Sequence, residues 1–311
     1  MTVSRVLNGQ SGASIETRQR VLDAAAALDY RPNAFAKNLR KDRSKIVGIV
    51  VPDIVNPFFP EIIRGAELAA RPAGYTLITT NVVEDPAREL EALDALRDRR
   101  VDGMILCSAR LDDKTLMRAA ASHRAMVVIN RVLPKSVAGS IEIDYRTGVE
   151  TLVESLIAKG RRRFAYAGGL PTSYGGAKRR EGLGAALTRH NLKLIANLPS
   201  SPDLPGGAAV AREIGARRAE IDAVICYNDL VAIGMIGALK ASGVKTPDDI
   251  AVTGCDDILL AAHVSPALTT LRVDKEELGE LAMRMLLDRI ERRNIQQRII
   301  IEPDIIFRDS A

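Results

Sequence analysis

Tryptophan is absent from the 311 residues, and five phenylalanines and six tyrosines are all the aromatics the chain has. That scarcity excludes an aromatic stacking platform for single-stranded nucleic acid. No apolar run approaches the roughly 20 residues that cross a bilayer. Thr2–Gly9 lacks the uninterrupted apolar stretch of a signal peptide. The expectation is a cytoplasmic protein with no membrane partner. The three cysteines, Cys107, Cys226 and Cys255, lie far apart and form no CxxC pair, which reads as free buried thiols. His123, His190 and His263 are equally scattered, so no metal-ligand spacing exists and no metal is expected. Walker A, GxSxG and helix-opening GxGxxG sequences are missing as well. With no nucleophile–base pair in view, neither catalysis nor a cofactor is expected.

What is present is unevenly placed. Residues 1–45 hold nine Lys/Arg against four acids, a net of +5, and the whole chain is also +5. The remaining residues carry 35 bases and 35 acids. A small basic head before a neutral body points to one end meeting a polyanion; a solvated helix pair is the plainer alternative. In that head, Met1–Leu7 reads as a helix stopped by Asn8-Gly9. Ser14 is placed to N-cap a second helix with Ile15, Val21, Leu22, Ala25 and Leu28 on one stripe. A third short helix fits 32–40, after Pro32, and Lys41–Lys45 is a charged linker. Ser4 and Arg5 fall on the outer face of the first helix. Leu39, among small residues and cations, could wedge a minor-groove step or simply pack on its own protein.

From Ile46 short β-branched runs alternate with helical spacing. Five runs fall before residue 145 and five more from Arg163 to Leu271, with a last strand over Arg298–Phe307 carrying Pro303. Such alternation predicts an α/β fold with parallel sheets covered on both faces. Two series of similar size predict two doubly wound lobes, with the ligand in the cleft beyond the strand ends. The expected division is a head over 1–45, a first lobe over about 46–145 and 274–294, and a second over about 146–272 and 296–311.

Polar residues recur at strand ends. Asp53 and Asn56 follow the first strand beside Phe58-Phe59, Asn130-Arg131 ends the fourth, and Arg179 opens a helix after Ala167–Gly169. Asn228-Asp229 follows Tyr227, and Asp256 follows Cys255. Amides, carboxylates, an arginine and an aromatic wall suit a small polar ligand such as a sugar. Each residue has a plainer role open to it. Asn228, Asp229 or Asp256 could cap a helix, Arg179 could be a solvated cation, and Phe58-Phe59 could be core.

Six stretches, TVSRVLNG, TRQRVLDAAAALDYRPNAFAKNLR, IVGIVVPDIVNPFFPEIIRGAE, VDGMIL, CYNDLVAIGMIGAL and TPDDIAVTGCDD with SPALTTLRVD, together resemble the lactose/galactose repressor (LacI/GalR) family of bacterial transcription regulators. The resemblance runs end to end. It implies a helix-turn-helix head, a hinge helix, and a two-lobed core like that of periplasmic sugar-binding proteins. It further implies a homodimer or tetramer on a palindromic double-stranded DNA operator. Carried over by position, the DNA contacts are Thr2, Ser4, Arg5, Asn8, Arg31, Asn33, Ala36, Lys37 and Leu39. The effector contacts are Asp53, Phe58, Phe59, Asn130, Arg179, Asn228, Asp229 and Asp256. Asn130 stands where many relatives have Asp, and Ser173 where the purine-responsive branch has Arg, which favours a sugar or sugar acid over a purine. One departure concerns the start: Met1 falls where the family's recognition helix is already under way, so it reads as an internal methionine of a longer protein. The expected function is a repressor whose operator binding is controlled by the effector in the cleft. A solute-binding protein for sugar uptake and an enzyme on a two-lobed scaffold are the rivals.

Overall fold

The computed structural model describes residues 2–7, 12–28, 30, 43–293 and 298–311. They form two compact units, divided between Lys45 and Ile46.

In the first unit, α1 (Thr2–Leu7) precedes α2 (Ile15–Ala27). The Ser14 hydroxyl accepts the Thr17 N–H, satisfying one of the free amides at the start of α2. Val6 is buried, but Ile15, Leu22 and Leu28 of the expected stripe are exposed, and no residue of α2 is buried. Val3, Val21, Ala25, Leu28 and Tyr30 instead line an open apolar groove. The expected helix over 32–40 lies outside the described residues.

The second unit holds two six-stranded sheets. In the first lobe β1 (Ile46–Val51), β2 (Thr76–Asn81), β3 (Gly103–Cys107), β4 (Met126–Ile129) and β5 (Gly139–Ile143) are all parallel, in the spatial order β2-β1-β3-β4-β5. Helices α3 (Phe58–Ala70), α4 (Pro86–Asp98) and α5 (Asp113–Ala121) connect them. The second lobe repeats the plan. After α6 (Tyr145–Ala158) come β6 (Phe164–Ala167), α7 (Tyr174–Arg189), β7 (Ala196–Leu198), α8 (Leu204–Ala216), β8 (Ala223–Cys226), α9 (Asp229–Ala241), β9 (Ala251–Asp256) and β10 (Thr269–Arg272). Their order is β7-β6-β8-β9-β10. The inner strands β1, β3, β6 and β8 are buried on both faces, which explains why they read as continuous apolar runs rather than alternating ones.

The turns into helices share one chemistry. Asp85, Asp112, Asp144, Ser173, Asp203, Asn228 and Asp274 each accept a backbone N–H two or three residues on. Short side chains of this kind stop the strand and satisfy the first turn of the helix together.

α10 (Lys275–Ile290) returns to the first lobe and packs on α3. The helices meet backbone to backbone: a Cβ on Gly65 would stand 1.9 Å from the Glu276 carbonyl oxygen, and one on Gly279 2.0 Å from that of Ile62. The expected last strand is two. β11 (Arg298–Ile301) runs parallel to β5 in the first sheet, and β12 (Asp304–Ile306) runs antiparallel to β10 in the second. This corrects the expectation that 296–311 belong wholly to the second lobe. Pro303 has no N–H to give a ladder, so the strand breaks there and the chain changes sheets. The lobes are thus joined by three crossings: Asp144 to Tyr145, Val273 to Asp274, and Glu302 to Pro303.

Candidate ligand cleft

Each sheet reverses its order once, between β1 and β3 and between β6 and β8. Loops diverge at such a point and leave a crevice beyond the strand ends. The two crevices face one cleft, lined from the first lobe by Asn56, Phe58 and Asn130 and from the second by Ser173, Arg179 and Asp256.

Arg179 is the centre of the second-lobe wall. It is 4% exposed, so it is not the solvated cation that its Lys178-Arg180 flanks allow. Its guanidinium lies over the Tyr145 ring at 3.7 Å and the Tyr227 ring at 4.8 Å from the centroids. Nε donates to Cys255 Sγ at 3.3 Å, and Nη2 stands 3.8 Å from Asp256 Oδ1. That last separation is too long for a hydrogen bond. Burial pushes the Asp256 carboxyl well above the usual carboxylate range, against the pull of Arg179 and Lys275. A cation flanked by two aromatic faces keeps its charge in a dry place, while the acid beside it favours the neutral form.

Asn130 directly follows β4 on the opposite wall with φ 55°, a left-handed conformation that asparagine tolerates. Its Oδ1 is buried and has no partner among the described residues, and its Nδ2 reaches Ser108 Oγ only at 3.4 Å. An acceptor left open on a cavity wall calls for a donor such as a ligand hydroxyl. Phe58 and Phe59, edge to face with centroids 5.2 Å apart, form the apolar side. They also belong to the hydrophobic core, the plainer role that the sequence left open to them.

Asn228 lines the cavity, but its amide is largely engaged: Oδ1 caps α9 through the Val231 N–H and Nδ2 donates to the Pro202 carbonyl, both at 2.9 Å. Asp229 is not in the lining. Its carboxylate accepts from Thr270 Oγ1 and from the Ile258 N–H, tying α9 to the β9 and β10 ends. Asp53 is not in the lining either, and accepts the Val55 N–H in its own turn. Asn56 lines the cavity while capping Phe58.

Sequence reasoning missed Glu84, Ser108, Arg110 and Tyr145, which also line the cavity. Glu84 pairs with Arg110 Nε, and Arg110 Nη1 donates to the Ser108 carbonyl at 2.6 Å. These residues follow β2 and β3, so the same strand-end rule, applied to every strand, points to them. In the head Arg5 is exposed, while Asn8, Arg31, Asn33, Ala36, Lys37 and Leu39 lie outside the described residues, as do the side chains of Thr2 and Ser4. Among the described residues no group of three or more His, Cys, Asp or Glu could hold a metal ion. Among them, too, no helix is long and apolar enough to cross a membrane.

Residues 1–33 match the family model for bacterial regulatory proteins of the lacI family, and residues 153–311 that for a periplasmic binding protein-like domain. The HTH-type transcriptional repressor PurR of Photobacterium profundum is 30% identical over 314 aligned residues, covering all of this chain and 94% of the relative. The chain belongs to the LacI family. Among solved structures of this family, the lac repressor dimer bound to operator and the anti-inducer ONPF superposes with a TM-score of 0.87 at 25% identity, covering 99% of this chain and 94% of that one. The transcriptional regulator CelR in complex with cellobiose does so with a TM-score of 0.77 at 27% identity, covering 99% and 94%.

Proposed function

We propose that this LacI-family chain is a DNA-binding transcriptional repressor whose operator binding is set by a sugar or sugar acid held between the lobes. The observation that carries the effector site is one cleft lined both by Asn130, whose acceptor is unpartnered, and by the Arg179–Asp256 pair, the guanidinium lying against two tyrosine faces. Hydroxyls meet the amides and the carboxyl, and the sugar's C–H faces lie on the aromatic rings. Arg179, Asp256, Asn130, Phe58 and Phe59 make the contacts. Asn228 adds one free N–H.

Relatives give the reading its wider setting. The lac repressor is seen on its operator with a small molecule bound, and CelR with cellobiose. The head residues named from sequence, Ser4 and Arg5 foremost, contact a palindromic site in a homodimer held in the cytoplasm. The effector acts by binding the DNA-competent and incompetent forms unequally, and the three crossings between lobes serve as the hinge for that choice. A thermal-shift screen of sugars, polyols and sugar acids, followed by calorimetry, tests the proposal. A hit that Arg179→Ala leaves equally tight removes the cavity as the effector site.

A further inference from the structure

Lys275 opens α10, and its ammonium is 6% exposed. A helix N-terminus repels a cation, and taking an ammonium out of water is costly unless acceptors surround it. Three do. Nζ donates to the main-chain oxygens of Asp256 at 3.1 Å and Asp257 at 2.9 Å, and lies 3.7 Å from Glu61 Oε2. The first two acceptors belong to the second lobe, while Glu61 and Lys275 belong to helices of the first. The cation is therefore a bridge between lobes, at a place where it stabilises its own helix least.

What it grips matters. Asp256 and Asp257 have φ of 126° and 48°, both in the left-handed region although neither is glycine. Strain of this kind persists only where the surroundings hold it. The Asp257 carboxylate is held from its own lobe by Arg308 at 2.7 Å, and the two carbonyls by Lys275 from the other lobe. The same turn presents the Asp256 carboxyl to the cavity. On the first-lobe side, Glu61 follows Phe58 and Phe59 within one turn of α3. The glycine contacts at Gly65 and Gly279 leave α3 and α10 no room to slide, so the two helices move as a unit.

We propose that Lys275 is a positioning residue for the cavity, tying the Asp256–Asp257 turn of the second lobe to the α3–α10 pair of the first and setting how far the lobes close. Its consequence for ligand affinity rests on the effector reading above; its consequence for lobe closure does not. The test uses the full chain with nitroxide labels on cysteines placed at exposed Glu91 and Lys240, one per lobe, and electron–electron distance measurement. The native cysteines are buried and stay unlabelled. Lys275→Met keeps the bulk and removes the charge, and is expected to broaden the distance distribution toward longer values. Glu61→Gln, which spares the grip on the turn, is expected to do so less. In calorimetry with the tightest-binding sugar or sugar acid of the panel, Lys275→Met is expected to weaken binding at least tenfold while Glu61→Gln melts within a few degrees of the parent. A Lys275→Met distribution that superimposes on the parent's overturns the proposal, whatever the ligand result. A panel without a single binder refutes the effector reading, and the distance measurement still decides the role of Lys275.

Discussion

Replacing Asp256 by Asn removes one titrating proton from the cavity and leaves the shape of the side chain unchanged. An aspartate titrates near 3.8 in the unfolded chain, and burial pushes that of folded Asp256 up to about 8. Between those values the folded protein holds about one proton more than the unfolded one. The unfolding free energy then falls by about 1.4 kcal/mol for each pH unit of increase. The contribution is full below pH 4 and is lost progressively as pH rises toward 8. From pH 5 to pH 7, inside that window, the loss comes to about 3 kcal/mol. Urea unfolding at several pH values, followed by circular dichroism, measures the slope. Glu89, whose carboxyl burial also raises, contributes to both proteins alike. The negative charge of Asp229 helps to raise the Asp256 carboxyl, so the difference between parent and Asp256→Asn reports the Asp256 proton together with its effect on Asp229. Stability profiles that run parallel from pH 5 to pH 7 would show that the Asp256 carboxyl is ionised when folded, and that the cavity holds a charge pair rather than a cation beside a neutral acid.

Arg179→Ala is expected to abolish the effector response and leave basal DNA binding intact, because the guanidinium touches only the cavity wall; calorimetry and mobility-shift assays read the two effects. Gly65→Ala sets a methyl group against the Glu276 carbonyl and should destabilise the core by about 1–3 kcal/mol, seen as a lower urea midpoint with an unchanged slope. The three buried thiols should resist Ellman's reagent in the folded protein and react in full after denaturation, since burial pushes Cys107 and Cys255 up to about 12.

The fold was legible because its local signals agree. Apolar β-branched runs, caps such as Asp85 and Asp144 and helical spacing all mark the same boundaries. The exception is the end of the chain. Pro303 read as lying within one last strand, but a proline that ends one strand and starts another looks the same in sequence; only the pairing partners tell the cases apart. The cavity was legible as strand ends, and that rule separates residues by position but not by direction. Asn228 and Asp229 are neighbours, yet one lines the cavity and the other ties three elements together behind it. Arg110 stands beyond the end of β3, a strand end at which no candidate was named, and Lys275 was hidden by standing at a helix start, where a lysine usually reads as solvated surface.

The central claim is that a small sugar-like ligand in the cleft changes how tightly the chain holds DNA. Fluorescence anisotropy of a labelled duplex, selected from random DNA by binding to the chain, measures this with and without a saturating hit from the sugar panel. The account predicts an operator affinity that changes at least tenfold with ligand for the parent and not at all for Arg179→Ala. An operator affinity unchanged by a ligand shown calorimetrically to fill the cavity would contradict it.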